Sequence, residues 1–338
     1  MNDPRIPVTL LTGFLGSGKT TLLRRLLREP DLADTAVVIN ELGEAGLDHI
    51  LARQVEDSYI ADNTVLLGSG CLCCILRTEL ADTLRDLYFK ALVGAIPPFQ
   101  RLVIETTGLA DPGPILADLL NAEVIREHYR LDAVVVTVDA THGAAQLDAH
   151  FEARKQAALA DVLLLTKCDL APPVGIDQLA TTLQALNPGA TQHRIAHGEI
   201  DAVQLLGVGL YDRAGRETAP QRWLRAPAGK PHLLPQGVHD DAISHFTLRL
   251  QQPLDWAELE PALRRLCRDH GEKLLRLKGI VHPADQPAAL AVHAVQHTLY
   301  PPTPLAGWHE AEPHSRLVLI TRGLDPAQIQ DELLDRCG

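Results

Sequence analysis

The chain has 338 residues, 46% hydrophobic and 22% charged, a balance that suits a folded protein with one large domain and one smaller one. Lys and Arg total 31 against 43 Asp and Glu, a formal net charge of −12, and no basic run breaks the acidic excess. Nucleic acid and anionic membrane are therefore not expected partners, whereas phosphate is still compatible, because backbone N–H groups can cradle it without surface charge.

The N-terminal stretch runs into Pro7-Val-Thr-Leu-Leu11 without a basic region, a long apolar core or a small-residue cleavage site, so no secretory signal is expected. No apolar run approaches the roughly 18 residues of a membrane span. Six cysteines, three of them within four residues, suggest cytosolic metal or redox chemistry rather than a disulfide framework, and a cytoplasmic location.

In chain order, Val8 to Leu11 predicts a first buried strand. It leads into Gly13-Phe-Leu15-Gly16-Ser17-Gly18-Lys19-Thr20, which fits G-x-x-x-x-G-K-[ST] and opens a predicted helix from Lys19 to Arg28. In such a P-loop the glycines let successive N–H groups face the phosphates. Lys19 would sit on the β- and γ-phosphates, and the Thr20 hydroxyl on Mg²⁺.

Ala36 to Ile39 predicts a second strand. Farther on, the apolar Val65-Leu-Leu67 is followed by Gly70-Cys71-Leu-Cys73-Cys74 and a predicted helix from Ile75 to Val93. Three thiols in four residues can place at least two sulfurs on one soft metal, and a helix N-terminus favours thiolates. Three cysteines do not close a four-ligand zinc site, and the open position suits a transferable or catalytic ion better than a permanent one. A redox thiol pair and merely buried cysteines are the competing readings.

The strand predicted from Arg101 to Ile104 ends at Glu105, with Gly108 three residues on. A carboxylate there can hold the Mg²⁺ water shell or orient an attacking water, and Gly108 can donate its N–H to a γ-phosphate. A strand from Ala133 to Val138 and a helix from Ala144 to Ala160 follow. The next strand, Val162 to Leu165, ends in Thr166-Lys167-Cys168-Asp169, before a helix from Ile176 to Leu186. One aspartate can accept from guanine N1–H and N2–H₂ together, and adenine lacks that donor pair, so Asp169 favours GTP over ATP. Threonine stands where the N-K-x-D form has asparagine, which predicts a weaker hold on the base.

These strands lack polar alternation, as parallel strands covered on both faces do, and they alternate with helices. The expected fold over residues 1–206 is a doubly wound, mainly parallel α/β P-loop domain. Residues 207–240, rich in Gly, Pro, Arg and Gln, read as a linker or long loop. Residues 241–338 predict a smaller α+β domain. Its strands are Ala242 to Leu250, Leu274 to Val281, Leu290 to Leu299 and Arg316 to Thr321. Its helices are Trp256 to His270 and one opened by Asp325-Pro326. His293 and His297, four apart on one predicted strand, would share a face, a weak hint of a metal site. Cys168, Cys267 and Cys337 read as structural, and His232, His239 and His245 as ordinary surface or core residues.

Taken together, these residues resemble the CobW/YjiA family of P-loop GTPases, proposed metallochaperones related to the urease and hydrogenase maturation GTPases. The likeness rests on Leu11 to Thr21, Asn40-Glu41-Leu-Gly-Glu44, the cysteine cluster, Glu105-Thr106-Thr107-Gly108 through Pro114, Val138 to His142, and Thr166 to Asp169. In the second domain it includes Lys273 to Gly279 and Pro313 to Arg316. The YjiA-like branch shares the threonine of the guanine motif. The resemblance implies nucleotide contacts from Leu15, Gly16, Ser17, Thr21, Asn40, Glu41, Thr106, Thr107 and Lys167, with Asn40 to Glu44 in a switch loop. It implies a Cys71, Cys73, Cys74 site for Zn²⁺ (or Co²⁺ or Ni²⁺), with Glu44 and His142 as further ligands and Cys73 as their thiolate partner. Ile39 stands where related chains can carry a glutamate, so a surface site relying on that ligand would lose it. The expected activity is GTP hydrolysis coupled to delivery of a divalent metal to a client metalloprotein. A GTP-dependent metal buffer or sensor, and a thiol-using nucleotide-dependent transferase, are the alternatives.

Overall fold

The computed structural model describes residues 3–29, 32, 34–40, 65–69, 78–205, 232–233, 243–250, 254–305 and 314–334. The predicted switch residues Glu41 to Glu44, the cysteines at 71, 73 and 74, and Cys337 lie outside them. The chain divides into two compact units, the first comprising Met1–Gln156, Ala160–Ala180 and Gln192–Tyr211.

The first sheet has seven strands: β1 (Ile6–Gly13), β2 (Thr35–Asn40), β3 (Val65–Ser69), β4 (Arg101–Glu105), β5 (Tyr129–Asp139), β6 (Val162–Thr166) and β7 (Thr191–Arg194). Their order is β3-β2-β4-β1-β5-β6-β7, and the pairings linking β1 through β6 are all parallel. β1 is central, and its residues Val8 and Leu10 are fully buried because helices cover both faces of such a sheet. From β1 the chain passes to β2 and β4 on one side, then crosses to β5 on the other. Loops leaving β4 and β5 therefore diverge around the end of β1, which is where open α/β sheets form a crevice.

The helices between β1 and β7 are α1 (Lys19–Leu26), α2 (Thr78–Leu92), α3 (Pro112–Asn121), α4 (Glu123–His128), α5 (Gly143–Ala149), α6 (Phe151–Leu159) and α7 (Pro173–Leu186). Residues 144–160, expected as one helix, form two. His150 has extended backbone angles, φ −123 and ψ 124, which break the helical ladder, and its ring stacks on Phe14 at 4.6 Å. Helix α3, not anticipated from sequence, is opened by Asp111, whose side chain accepts from Gly113 N–H at 2.9 Å, with Pro112 at the first position.

The second sheet comprises β8 (His232–Leu233), β9 (Ile243–Leu250), β10 (Leu274–Val281), β11 (Ala289–Val295), β12 (Thr298–Leu299), β13 (Thr303–Leu305) and β14 (Ser315–Arg322). Its order is β12-β11-β10-β14-β9-β8, with β13 on β11 and antiparallel pairing throughout. β8 lies inside the stretch expected to be linker. Helices α8 (Trp256–His270) and α9 (Pro326–Leu334) share one core with this sheet: Leu259, Leu263 and Leu266 join Phe246, Leu248, Leu277, Leu319 and Ile329. The expected strand from 290 to 299 is a hairpin. Gln296 takes a left-handed φ of 47 and reverses the chain, so His293 and His297 do not share one strand face. No glycine or asparagine marks that turn, which is why the continuous apolar pattern concealed it.

Leu263 is fully buried, and Leu263→Ala is expected to destabilise the second unit by about 2–5 kcal/mol in chemical denaturation. A loss below about 1 kcal/mol would contradict this packing.

Candidate functional site

Because β1, β2, β4, β5 and β6 run parallel, their carboxyl ends share one edge. Their last residues are Gly13, Asn40, Glu105, Asp139 and Thr166. The register sets them side by side: Leu11 and Ile39 flank Glu105, Gly13 pairs with Thr137, and Asp139 pairs with Thr166. Residues far apart in sequence meet here for a backbone reason, before any side chain is considered.

Beyond Gly13, the last ladder residue of β1, the loop to Gly18 has no ladder of its own, and side chains hold the carbonyls from Gly13 onward. Lys19 Nζ donates to Gly13 O at 2.9 Å and to Phe14 O at 3.3 Å. Gln146 Nε2 donates to Leu15 O at 3.4 Å, Lys167 Nζ to Gly16 O at 2.7 Å, and Thr166 Oγ1 to Ser17 O at 2.8 Å. With every carbonyl from 13 to 17 held by a donor, the loop keeps a curled shape of the kind that cradles anions with its N–H groups. Gly13 (φ 146), Gly16 (φ 71) and Gly18 (φ 90) supply the backbone angles this curl needs. A Cβ on Gly13 would overlap the carbonyl and hydroxyl oxygens of Thr137.

Lys19 is buried, and burial lowers its pKa, opposed by the nearby Glu105 carboxylate. Glu105 Oε1 accepts from Thr20 Oγ1 at 2.9 Å. A hydroxyl and a carboxylate in contact form an all-oxygen donor pair, the chemistry a magnesium ion takes. Thr21 follows Thr20 in the first turn of α1, and both are exposed. Thr106 Oγ1 donates to Thr12 Oγ1 at 2.7 Å and ties the loop after β4 to β1. Thr107 Oγ1 is shielded and has no hydrogen-bond partner among the described residues. Gly108 lies against the P-loop: a Cβ there would come within 2.6 Å of Leu15 N.

At the end of β6, Thr166 supplies the P-loop bond given above, so the residue that departs from asparagine still ties the two motifs together. Lys167 has a left-handed φ of 56, uncommon for a side chain of this size, and its ammonium also bonds Asp139 Oδ2 at 2.7 Å. Asp169 faces solvent with His197 Nε2 at 3.6 Å. Cys168 N–H and Ile195 O bond at 3.2 Å, and Ile195 N–H and Leu165 O at 2.8 Å, so the loop after β7 is fastened beside Asp169.

Sequence reasoning missed Asp139, Gln146 and His197. Asp139 accepts at Oδ1 from Thr141 N–H (2.7 Å) and Thr141 Oγ1 (2.6 Å). Burial alone would raise this carboxyl, but the bonds from Lys167 and Thr141 outweigh it and bring it down to about 2. His142 is exposed; its Nδ1 lies 2.6 Å from Thr141 Oγ1 and 3.5 Å from Asp139. Among the described residues, no group of three or more His, Cys, Asp or Glu could hold a metal ion. Cys168 and Cys267 are free, and burial raises both, Cys267 to about 12, so neither is an activated thiol.

A central parallel strand, a glycine loop on a helix N-terminus and a carboxylate on the adjacent strand define a P-loop nucleotide-binding domain. Residues 7–194 match the family described as CobW/HypB/UreG, nucleotide-binding domain, and residues 243–337 match the cobalamin synthesis protein cobW C-terminal domain; the chain belongs to this family. It is 36% identical to the zinc chaperone YjiA of Escherichia coli over 96% of each chain. It is 29% identical to the zinc chaperone CobW of a Sinorhizobium species, over 87% of this chain and 86% of that one. The crystal structure of Zn(II)-bound YjiA GTPase from E. coli superposes with a TM-score of 0.69, at 31% identity over 99% of each chain.

Asp139 is depressed by folding, so its contribution to stability is complete above the unfolded carboxylate value of about 3.9. It fades as pH falls through about 2. Asp139→Asn is therefore expected to be less stable than the parent in urea at pH 7, with the gap closing between about pH 4 and pH 2. A gap independent of pH would show that the carboxylate charge is not what stabilises.

Proposed function

We propose that this protein, a GTP hydrolase, uses its nucleotide cycle to bind a divalent metal, zinc foremost and cobalt or nickel as alternatives, and to deliver it to a client metalloprotein. The observation that carries the nucleotide half is the shared strand edge. The loop Gly13 to Thr20, the Thr20–Glu105 pair and the Thr166 to Asp169 motif all converge there. The thiols Cys71, Cys73 and Cys74, with the zinc chaperones among the relatives, support the metal half. No helix among the described residues is long and apolar enough to cross a membrane. In this reading the nucleotide domain spans residues 1–206 and a linker at 207–240 leads to a second domain at 241–338.

Lys19 exchanges its bonds to Gly13 and Phe14 for the β- and γ-phosphate oxygens. The N–H groups of Leu15, Gly16, Gly18, Lys19 and Thr20 face the phosphates, Ser17 N–H closing the loop on Phe14 O at 3.2 Å, and Thr21, Thr106 and Thr107 add hydroxyls. Thr20 and Glu105 would hold Mg²⁺, which neutralises charge on the β- and γ-phosphates when bound. Glu105 and Gly108 N–H meet the attacking water and the γ-phosphate. Asp169 accepts from the guanine edge, with Lys167 bracing the loop beneath. Asn40 and Glu41 begin a switch loop that reaches Glu44. Metal is the cargo: Cys71, Cys73 and Cys74, with Glu44 and His142, take it up. A switch loop ordered by γ-phosphate then links metal affinity to nucleotide state, and linkage makes the effect reciprocal.

The test is binding of a non-hydrolysable GTP analogue with and without Zn²⁺. Affinity is expected to change several-fold with metal in the parent and not in a Cys73→Ser, Cys74→Ser double variant, which keeps basal GTP binding. Equal affinities in the parent would remove the coupling. Retained metal in both nucleotide states would indicate a buffer without a client. Asp169→Asn is expected to weaken GTP binding roughly 10- to 100-fold, the cost of a lost hydrogen bond to a charged group, with little effect on ATP. Lys19→Ala is expected to lower hydrolysis at least about a hundredfold.

A further inference from the structure

Two consecutive side chains of α6 hold the loop that leaves β4. Gln156 Nε2 donates to the carbonyls of Gly108 at 3.2 Å and Ala110 at 3.0 Å. Lys155 Nζ bonds Asp111 Oδ2 at 2.6 Å, on the carboxylate that also caps α3. Gln156 is 1% exposed, and its Oε1 is shielded without a hydrogen-bond partner among the described residues. Leaving a buried acceptor unmet costs stability, and an apolar side chain of similar volume would avoid that cost. The donor half of the amide is therefore the reason for glutamine at this position.

Gly108 needs such a hold. Without a Cβ its backbone is soft, yet it packs so tightly on the P-loop that a Cβ would fall within 2.7 Å of Leu15 Cα. The turn around it closes with Ala110 N–H donating to Thr107 O at 3.1 Å. By drawing the Gly108 and Ala110 carbonyls to one amide, Gln156 fixes the peptide planes on the far side of that turn. Glu105 lies at the near side, at the end of β4.

We propose that Gln156 is a positioning residue for GTP hydrolysis, holding the loop after Glu105 so that the Gly108 N–H meets the γ-phosphate, with Lys155–Asp111 as an outer tether. The inference rests on the GTPase reading above and adds to it a residue that touches no nucleotide. Its effect therefore falls on turnover, because the P-loop and Asp169 supply the ground-state binding.

The experiment measures kcat and KM for GTP, and Kd for GDP, on full-length protein with Mg²⁺. Gln156→Leu keeps the volume and removes the donor; kcat is expected to fall roughly 10- to 100-fold, the scale of a misplaced catalytic geometry, with KM and Kd within about threefold. Gln156→Glu separates positioning from packing. A buried carboxylate facing two carbonyls cannot donate, whereas its protonated form can, and this environment raises its pKa. The charged groups on α6 and beside it include Lys155 and Asp111, bonded to each other, Glu105, bonded to Thr20, and Asp139 at the end of β5, bonded to Lys167. The Gln156→Glu kcat, relative to the parent at each pH, is expected to recover as pH falls from 8 to 6. Lys155→Met, the variant that carries the test should Gln156→Leu not fold, is expected to lose a few-fold in kcat alone. Unchanged kcat in the Leu variant, or a pH-flat Glu/parent ratio, overturns the positioning role while leaving the GTPase reading intact. A parent that hydrolyses no GTP overturns that reading itself.

Discussion

The nucleotide half depends on how the carbonyls of one short loop are held. Residues 14 to 17 lie between β1 and α1, outside both the strand ladder and the helix, and an unsupported loop of this kind would sample many shapes. Lys19, Gln146, Lys167 and Thr166 each reach a different carbonyl, and Lys19 takes two. Their donors come from α1, α5 and the exit of β6, so the loop is shaped from several sides at once. The sheet order makes this possible by placing the ends of β1, β5 and β6 next to one another.

That support carries a cost. Lys19 is buried beside Glu105, and Asp139 is buried beside Lys167. Each charge is tolerated because an opposite one is near and hydrogen bonds satisfy it, as buried ions require. Lys167 also takes a left-handed backbone conformation. The buried Lys19 ammonium and the strain at Lys167 mark the strand edge as a place where the fold gives up some stability for a fixed arrangement of donors, whereas the Asp139 carboxylate, held by Lys167 and Thr141, adds to it.

The loop after β4 is governed in the same manner from the other side. It is stitched to β1 through Thr106 and Thr12 and to α6 through Gln156 and Lys155. His150, just before α6, stacks on Phe14 of the P-loop. The start of α6 and its second turn thus meet the two loops between which a γ-phosphate would lie. Splitting the stretch after β5 into two helices at His150 is what brings this about.

The sequence by itself determined the local elements and the chemistry of the motifs. The P-loop was legible because glycine, lysine and threonine at fixed spacing after an apolar strand have few other uses. Glu105 was legible as a polar residue closing an apolar run, Thr166 to Asp169 as a polar exit from another, and the parallel sheet as runs without alternation. The helix break at His150, the reversal at Gln296 and helix α3 were not read in advance. At the first two no glycine or proline marks the change, and at the third the Asp111-Pro112 signal lay inside a longer motif. Tertiary structure alone decided which residues meet. Gln146 and Gln156 carry no motif, and Asp139 lies within one, Val138 to His142, that assigned it no role; their roles come from strand register and helix placement, which bring a carboxylate or an amide within 3.5 Å of groups distant in sequence. Local pattern fixes what each segment can become, and long-range packing fixes what each side chain can touch.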